Sequence, residues 1–183
     1  MTKLQKTGGI AAFYLAAAYV VGIVLFIFVL DYPNIVEPAE KVALLLERQA
    51  VITATNLLMY VIFGVFLVLL VLALHERFRD GAPSFVWTGT AFGLIWASAV
   101  MLSGMVANAG IVPVIALYDE DPARAAMVWL TIESVANGLG GANGEILGGL
   151  WTLLVSWAAL RTGGLPKALN YLGGAVGAVG LLS

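Results

Sequence analysis

Polar residues in this chain come in short islands between long apolar runs. Four runs, 10–30, 51–74, 85–107 and about 143–160, each supply roughly the 20 apolar residues that a membrane-crossing helix needs. A fifth, 167–183, sits at the short limit of that length. No run alternates with the two-residue period of a half-buried strand, and lipid excludes open sheets in any case. The pattern predicts an all-α integral membrane protein, a bundle of five transmembrane helices. The opening "MTKLQKTGG" leads into apolar sequence that continues to Leu30. That run is longer than the core of a signal peptide, about 7–15 residues, so the first helix reads as a retained anchor.

Two of the islands carry helical patterns of their own, near 39–49 and 122–136. After Pro38, the residues Ala39, Val42, Ala43 and Leu46 recur at helical spacing, with Glu40, Lys41, Glu47 and Arg48 on other faces. This segment is either an interfacial helix or an outward extension of the second span. In "DEDPARAAM", Asp121 occupies an N-cap position and Pro122 the first helical position. The acids Asp119, Glu120 and Asp121 read as a solvated helix start rather than a cation site.

Charge sets the orientation. Lys3, Lys6, Arg77, Arg79, Arg161 and Lys167, six of the nine basic residues, fall on one side of the predicted bundle. Lys41, Arg48 and Arg124 fall on the other, with Asp31, Glu37, Glu40, Glu47 and the 119–121 acids. The positive-inside rule places the N-terminus and the 75–84 and 161–167 connections in the cytoplasm, and 31–50 and 112–124 outside. Tyr32 and Tyr118 outside, and Trp87 and Trp157 inside, match interfacial aromatic positions.

Composition agrees and removes several functions. The chain is 61% hydrophobic and 11% charged, with a mean hydropathy of +0.98. Soluble domains are about 25% charged. A net charge of −2 without a basic run leaves no electrostatic footprint for nucleic acid. The absence of cysteine removes disulfides, thiolate metal sites and cysteine catalysis.

The fourth run is too long for a single crossing. From Pro122 to Leu160, one continuous helix would measure about 58 Å, against about 30 Å of hydrocarbon. The helix therefore overhangs the membrane or breaks, and the glycines of "IESVANGLGGANGEILGG" (132–149) lie where a break would fall. Measured from Arg161, Glu145 stands about 24 Å up and Glu133 about 42 Å. Glu133 is then an ordinary acid in headgroups or water. Glu145 is a carboxylate in hydrocarbon, either protonated or paired in helix packing, or an ionisable group that serves function. Asn56, Asn108, Asn137 and Asn143 come out near the same end, with Thr53, Thr55 and Ser103 available to join them. Together Glu145, Asn143, Asn56, Asn108, Asn137 and Glu133 predict a polar pocket in the outer leaflet.

Sharper motifs fail. Gly138, Gly140, Gly141 and Gly144 do not make G-x-G-x-x-G, because position 143 is Asn143, and no strand precedes them. His75 is the lone histidine, expected to be solvated at the cytoplasmic interface, which disfavours haem, zinc or a catalytic triad. Gly140, Gly144, Gly148, Thr152 and Ser156 form a ridge of small residues. Gly89, Gly93 and Ala97, and also Gly173 and Gly177, do likewise; such ridges let membrane helices approach closely.

Four stretches carry a resemblance: "GGIAAFYLAAAYVVG" (8–22), "LVLALHERF" (70–78), "GLW" (149–151) and "RTGGLPKALNYLGG" (161–174). The chain resembles the bacterial membrane-protein family catalogued as domain of unknown function 4386. The most specific piece is the turn of Arg161, Gly163, Gly164, Leu165, Pro166 and Lys167. The resemblance implies a helical bundle in the bacterial inner membrane that usually has a sixth membrane helix, missing here after Ser183. It implies no assigned activity, cofactor or catalytic residue, though a polar residue at the position of Glu145 is usual.

Three functions remain open. The first is a non-enzymatic accessory or structural bundle that binds a protein partner, another copy of itself, or a lipid or apolar ligand. The second is a proton- or ion-coupled transporter using Glu145. The third is an intramembrane enzyme pairing Glu145 with Glu133, which requires a fold-back at 138–144.

Overall fold

The computed structural model describes residues 2–140 and 145–182, with residue 145 described in its backbone alone. Seven α-helices and no strand occur among the described residues. Helix α1 (Lys3–Ile23) continues through a π-helical turn, Val24–Val29. Helix α2 (Pro38–Asn56), a second π turn (Leu57–Ile62) and α3 (Phe63–Phe78) follow without a loop, with a kink inside α2 at Arg48. Helices α4 (Pro83–Tyr118), α5 (Pro122–Leu139), α6 (Glu145–Thr162) and α7 (Lys167–Gly180) follow. Three rods are long and apolar enough to cross a membrane: Lys3–Val29, Pro38–Phe78 and Pro83–Tyr118.

Local chemistry sets the ends. Thr2 caps α1 by accepting from the Gln5 N–H, and Asp121 caps α5 by accepting from the Arg124 N–H at 3.0 Å. Pro38, Pro83 and Pro122 open their helices at a position where no N–H is needed. Asp31 closes the first rod in the left-handed region, φ 50°, and its carboxylate accepts from the Asn34 amide at 2.6 Å. Gly163, φ +65°, ends α6 as only glycine does without strain.

The helices pack as antiparallel neighbours, with α4 central. α1 lies against α3, α3 against α4, and both α5 and α6 against α4; α7 packs on α6. The α5 and α6 helices succeed one another along α4: Ile132 meets Gly110, Gly140 meets Ala99, Gly148 meets Trp96 and Trp151 meets Gly93. Buried side chains form three clusters along the rods. The middle one contains Leu67, Ala97 and Trp151, and one at the acidic end contains Val42, Leu45, Val114 and Trp129. The third, at the basic end, contains Phe78, Val86 and Ala159.

Several sequence expectations change here. The 39–49 segment is helical and is set off from the rest of α2 by a kink at Arg48 (φ −120°, ψ 24°). Its core stripe is Val42 and Leu45; Ala43 and Leu46 are exposed, because α2 turns its other face to α4 and α5. Run 85–107 reaches Tyr118, since Pro113 is accommodated inside α4 rather than ending it. Among the described residues the expected small-residue contacts form; Gly144 lies outside them. A Cβ on Gly149 would stand 2.8 Å from the Gly177 carbonyl oxygen, and one on Gly173 would collide with Ser156.

Candidate functional site

The acidic end holds a polar cluster built from three connections. The part of α2 before the Arg48 kink brings Lys41 beside α5, where its ammonium donates to both oxygens of Glu133, at 2.8 and 2.9 Å. The two side chains retain only 17% and 15% exposure. The turn after α1 inserts Tyr32 beneath them, with the ammonium 5.0 Å from its ring centre. The Trp129 indole N–H donates to the Tyr32 hydroxyl at 3.1 Å. Burial, and after it the Glu133 carboxylate, pushes the Tyr32 phenol well above the ordinary tyrosine range.

An amide ladder lies at the same end. Asn56 donates to the Asn108 carbonyl oxygen at 2.9 Å, and Asn108 donates to the Thr53 backbone oxygen at 3.2 Å. Ser103 donates to the Ala136 backbone oxygen at 2.7 Å. Asn56, Ser103, Glu133, Asn137, Tyr32 and Tyr60 line a small chamber of about 70 Å³.

Below it opens a larger apolar cavity of about 560 Å³. Its walls are the two π turns (Phe26 and Ile27 on one, Met59 and Tyr60 on the other), Trp96 and Val100 on α4, Gly140 at the end of α5, Gly148 and Thr152 on α6, and Val176 and Val179 on α7. Both π turns face this space, as such insertions often do at functional sites. Phe26 and Tyr60 line both spaces, so the chamber and the cavity are neighbours.

The structure brings together four of the six sequence-selected residues: Asn56 and Asn108 by hydrogen bond, and Asn56, Glu133 and Asn137 around the chamber. Asn143 and the Glu145 side chain lie outside the described residues. Glu133 is not an ordinary wet acid; α2 overlaps α5 and covers it with Lys41. His75, expected to be solvated, is half-buried. Its Nδ1 lies 2.8 Å from the Thr90 hydroxyl and its ring stacks edge-on against Trp87 at 4.6 Å. Tyr32, expected at an interfacial depth, is packed between Lys41 and Trp129. Lys41, Tyr32, Trp129 and Tyr60 escaped sequence reasoning; the helical stripe that included Val42 was the available signal, and it pointed one residue away from Lys41. No group of three or more His, Asp or Glu side chains suited to a metal occurs among the described residues.

At the basic end, two of the stretches singled out in the sequence meet. Arg77 donates to the Gly164 backbone oxygen at 2.6 Å, and Phe78 packs under Gly164, where a Cβ would stand 2.5 Å from its ring. Asn170 donates back to the Leu165 oxygen at 3.3 Å. The 161–167 turn is thus a structural lock joining α3 to α6 and α7. No curated protein and no solved structure matches the chain. The family described as Domain of unknown function (DUF4386) matches residues 14–183, a stretch that includes this turn and both spaces above it, and the chain belongs to that family.

Proposed function

We propose that the protein is a non-enzymatic membrane bundle of five crossings that holds a long apolar, lipid-like ligand. The carrying observation is the apolar cavity of about 560 Å³, within the roughly 300–1,000 Å³ of ordinary ligand sites. The crossings are α1, α2–α3, α4, the α5–α6 pair and α7. In this reading the basic end faces the cytoplasm of a bacterial inner membrane, on the side of Lys3, Lys6, Arg77, Arg79, Arg161 and Lys167. Exposed Phe13, Val20 and Phe28 on the first rod, and Leu169 and Leu172 on α7, meet lipid tails, a protein partner or another copy of the chain.

Native mass spectrometry of the protein extracted from its own membrane is the test. A near-stoichiometric apolar ligand is expected, and it should be lost in Gly22→Phe, which fills the cavity wall beside Met59. Bare protein that takes up no apolar fluorescent probe would refute the reading.

A proton- or ion-coupled transporter gains support from the end of α5 at Gly140, whose backbone leaves the helical region (φ −163°, ψ 8°). Proton-coupled flux in vesicles that is unchanged in Glu145→Gln would remove it. The acid–base enzyme needs a fold-back at 138–144, of which 141–144 lie outside the described residues. The common direction of α5 and α6 along α4 gives that reading no support.

A further inference from the structure

We infer that the small chamber above the apolar cavity is the headgroup site of an uncharged, hydroxyl-bearing lipid, a glyceride or long-chain alcohol whose tail lies in the cavity below. The inference rests on the ligand-holding reading and adds the chemistry of the head.

Asn56 carries the argument. It is 6% exposed, lines the chamber, and uses one N–H on Asn108. The orientation of both amides is determined by the ladder: Asn108 must present its NH₂ to the Thr53 oxygen, so its carbonyl accepts and Asn56 must donate. The Asn56 carbonyl oxygen therefore accepts nothing from the described residues and, not being among their buried unsatisfied atoms, is open to a hydrogen bond from the chamber. Around it, Ser103 has given its one hydrogen to Ala136 and keeps open lone pairs. The Tyr60 hydroxyl and the Asn137 amide also line the chamber, and neither makes a hydrogen bond with another described residue.

Charge selects the head. Lys41 is held by both oxygens of Glu133, and that carboxylate itself lines the chamber. No free cation is left among the chamber-lining residues to receive a phosphate or carboxylate, and Glu133 would repel one. What remains is a set of neutral donors and acceptors, matched by hydroxyl and ester groups. Size agrees, since about 70 Å³ holds a few waters or the hydroxyls that displace them. Depth agrees as well. Asn56 stands about 28 Å along its rod from His75, near the edge of a hydrocarbon layer about 30 Å thick. The head then lies at the membrane surface and the tail in the membrane interior. Phe26 and Tyr60 form the neck where the head joins the tail.

The test uses the full chain in nanodiscs and three probes: hexadecane, 1-monooleoylglycerol, and the matching lysophosphatidic acid. Monooleoylglycerol should bind at least about tenfold tighter than lysophosphatidic acid. Asn56→Leu should weaken it about tenfold, the value of one hydrogen bond, while leaving hexadecane binding as it was. Tyr60→Phe, which keeps the packing, should lower the preference for monooleoylglycerol over hexadecane even if Asn56→Leu fails to fold. Failure of hexadecane to bind overturns the ligand-holding reading. Hexadecane binding with no gain for monooleoylglycerol, or with lysophosphatidic acid preferred, overturns the headgroup assignment alone.

Discussion

Breaking the Lys41–Glu133 pair should cost more than any surface ion pair could. An exposed pair contributes about 0–1 kcal/mol, whereas removing one partner of a buried pair costs about 3–5 kcal/mol. With 17% and 15% of the side chains still exposed and both carboxylate oxygens engaged, this pair falls between those limits. A coupling of about 2 kcal/mol is expected, roughly a 30-fold change in the folding equilibrium. Lys41→Met strands the Glu133 carboxylate beside the Tyr32 phenol. Glu133→Gln strands the ammonium over the Tyr32 ring, 5.0 Å away. Each single substitution should therefore lower the melting temperature in detergent by about 4–8 °C at this chain length. The double substitution should cost little more than either alone, because the second change removes the stranded charge. Additive single losses, with a coupling under about 0.5 kcal/mol, would show that the pair is solvated and that α2 does not seal the acidic end.

Gly140→Ala should cost at least about 1–3 kcal/mol of stability, since its Cβ would stand 2.5 Å from the Ala99 backbone oxygen. Gly9→Ala, with nothing within 4 Å of the new carbon, should instead gain up to about 1 kcal/mol. Parallel melting curves decide between them. Tyr32 has a folded pKa raised above its unfolded value of about 10. Below that pH both states carry the neutral phenol and stability is complete. Above it the unfolded chain ionises first and stability falls as pH rises. Tyr32→Phe should flatten that alkaline decline in melting temperature, and an unchanged slope would refute it. Thr90 donates its one hydrogen to the Val86 oxygen, so His75 must donate to Thr90 from Nδ1. Nitrogen NMR should show the Nδ1–H tautomer, weakened in Thr90→Val; a dominant Nε2–H form in the parent would contradict this geometry.

Apolar run length was enough to read an all-helical chain, because a rod of about 20 apolar residues is a property of consecutive positions. Helix starts were legible for the same local reason: Pro38 and Pro122 open helices, and Asp121 takes the Arg124 N–H. The small-residue ridges on α4, α6 and α7 were visible as a spacing, and their use as close contacts follows from having no side chain to hold helices apart. Distance along a single helix, however, carries no information about what lies beside it. Counted from Arg161, Glu133 reads as wet; in the fold, α2 overlaps α5 and Lys41 closes over it. The π turns, the neck at Phe26 and Tyr60, and the pairing of chamber with cavity arise between helices distant in sequence. They depend on register and rotation across several interfaces at once, which only the packed bundle decides.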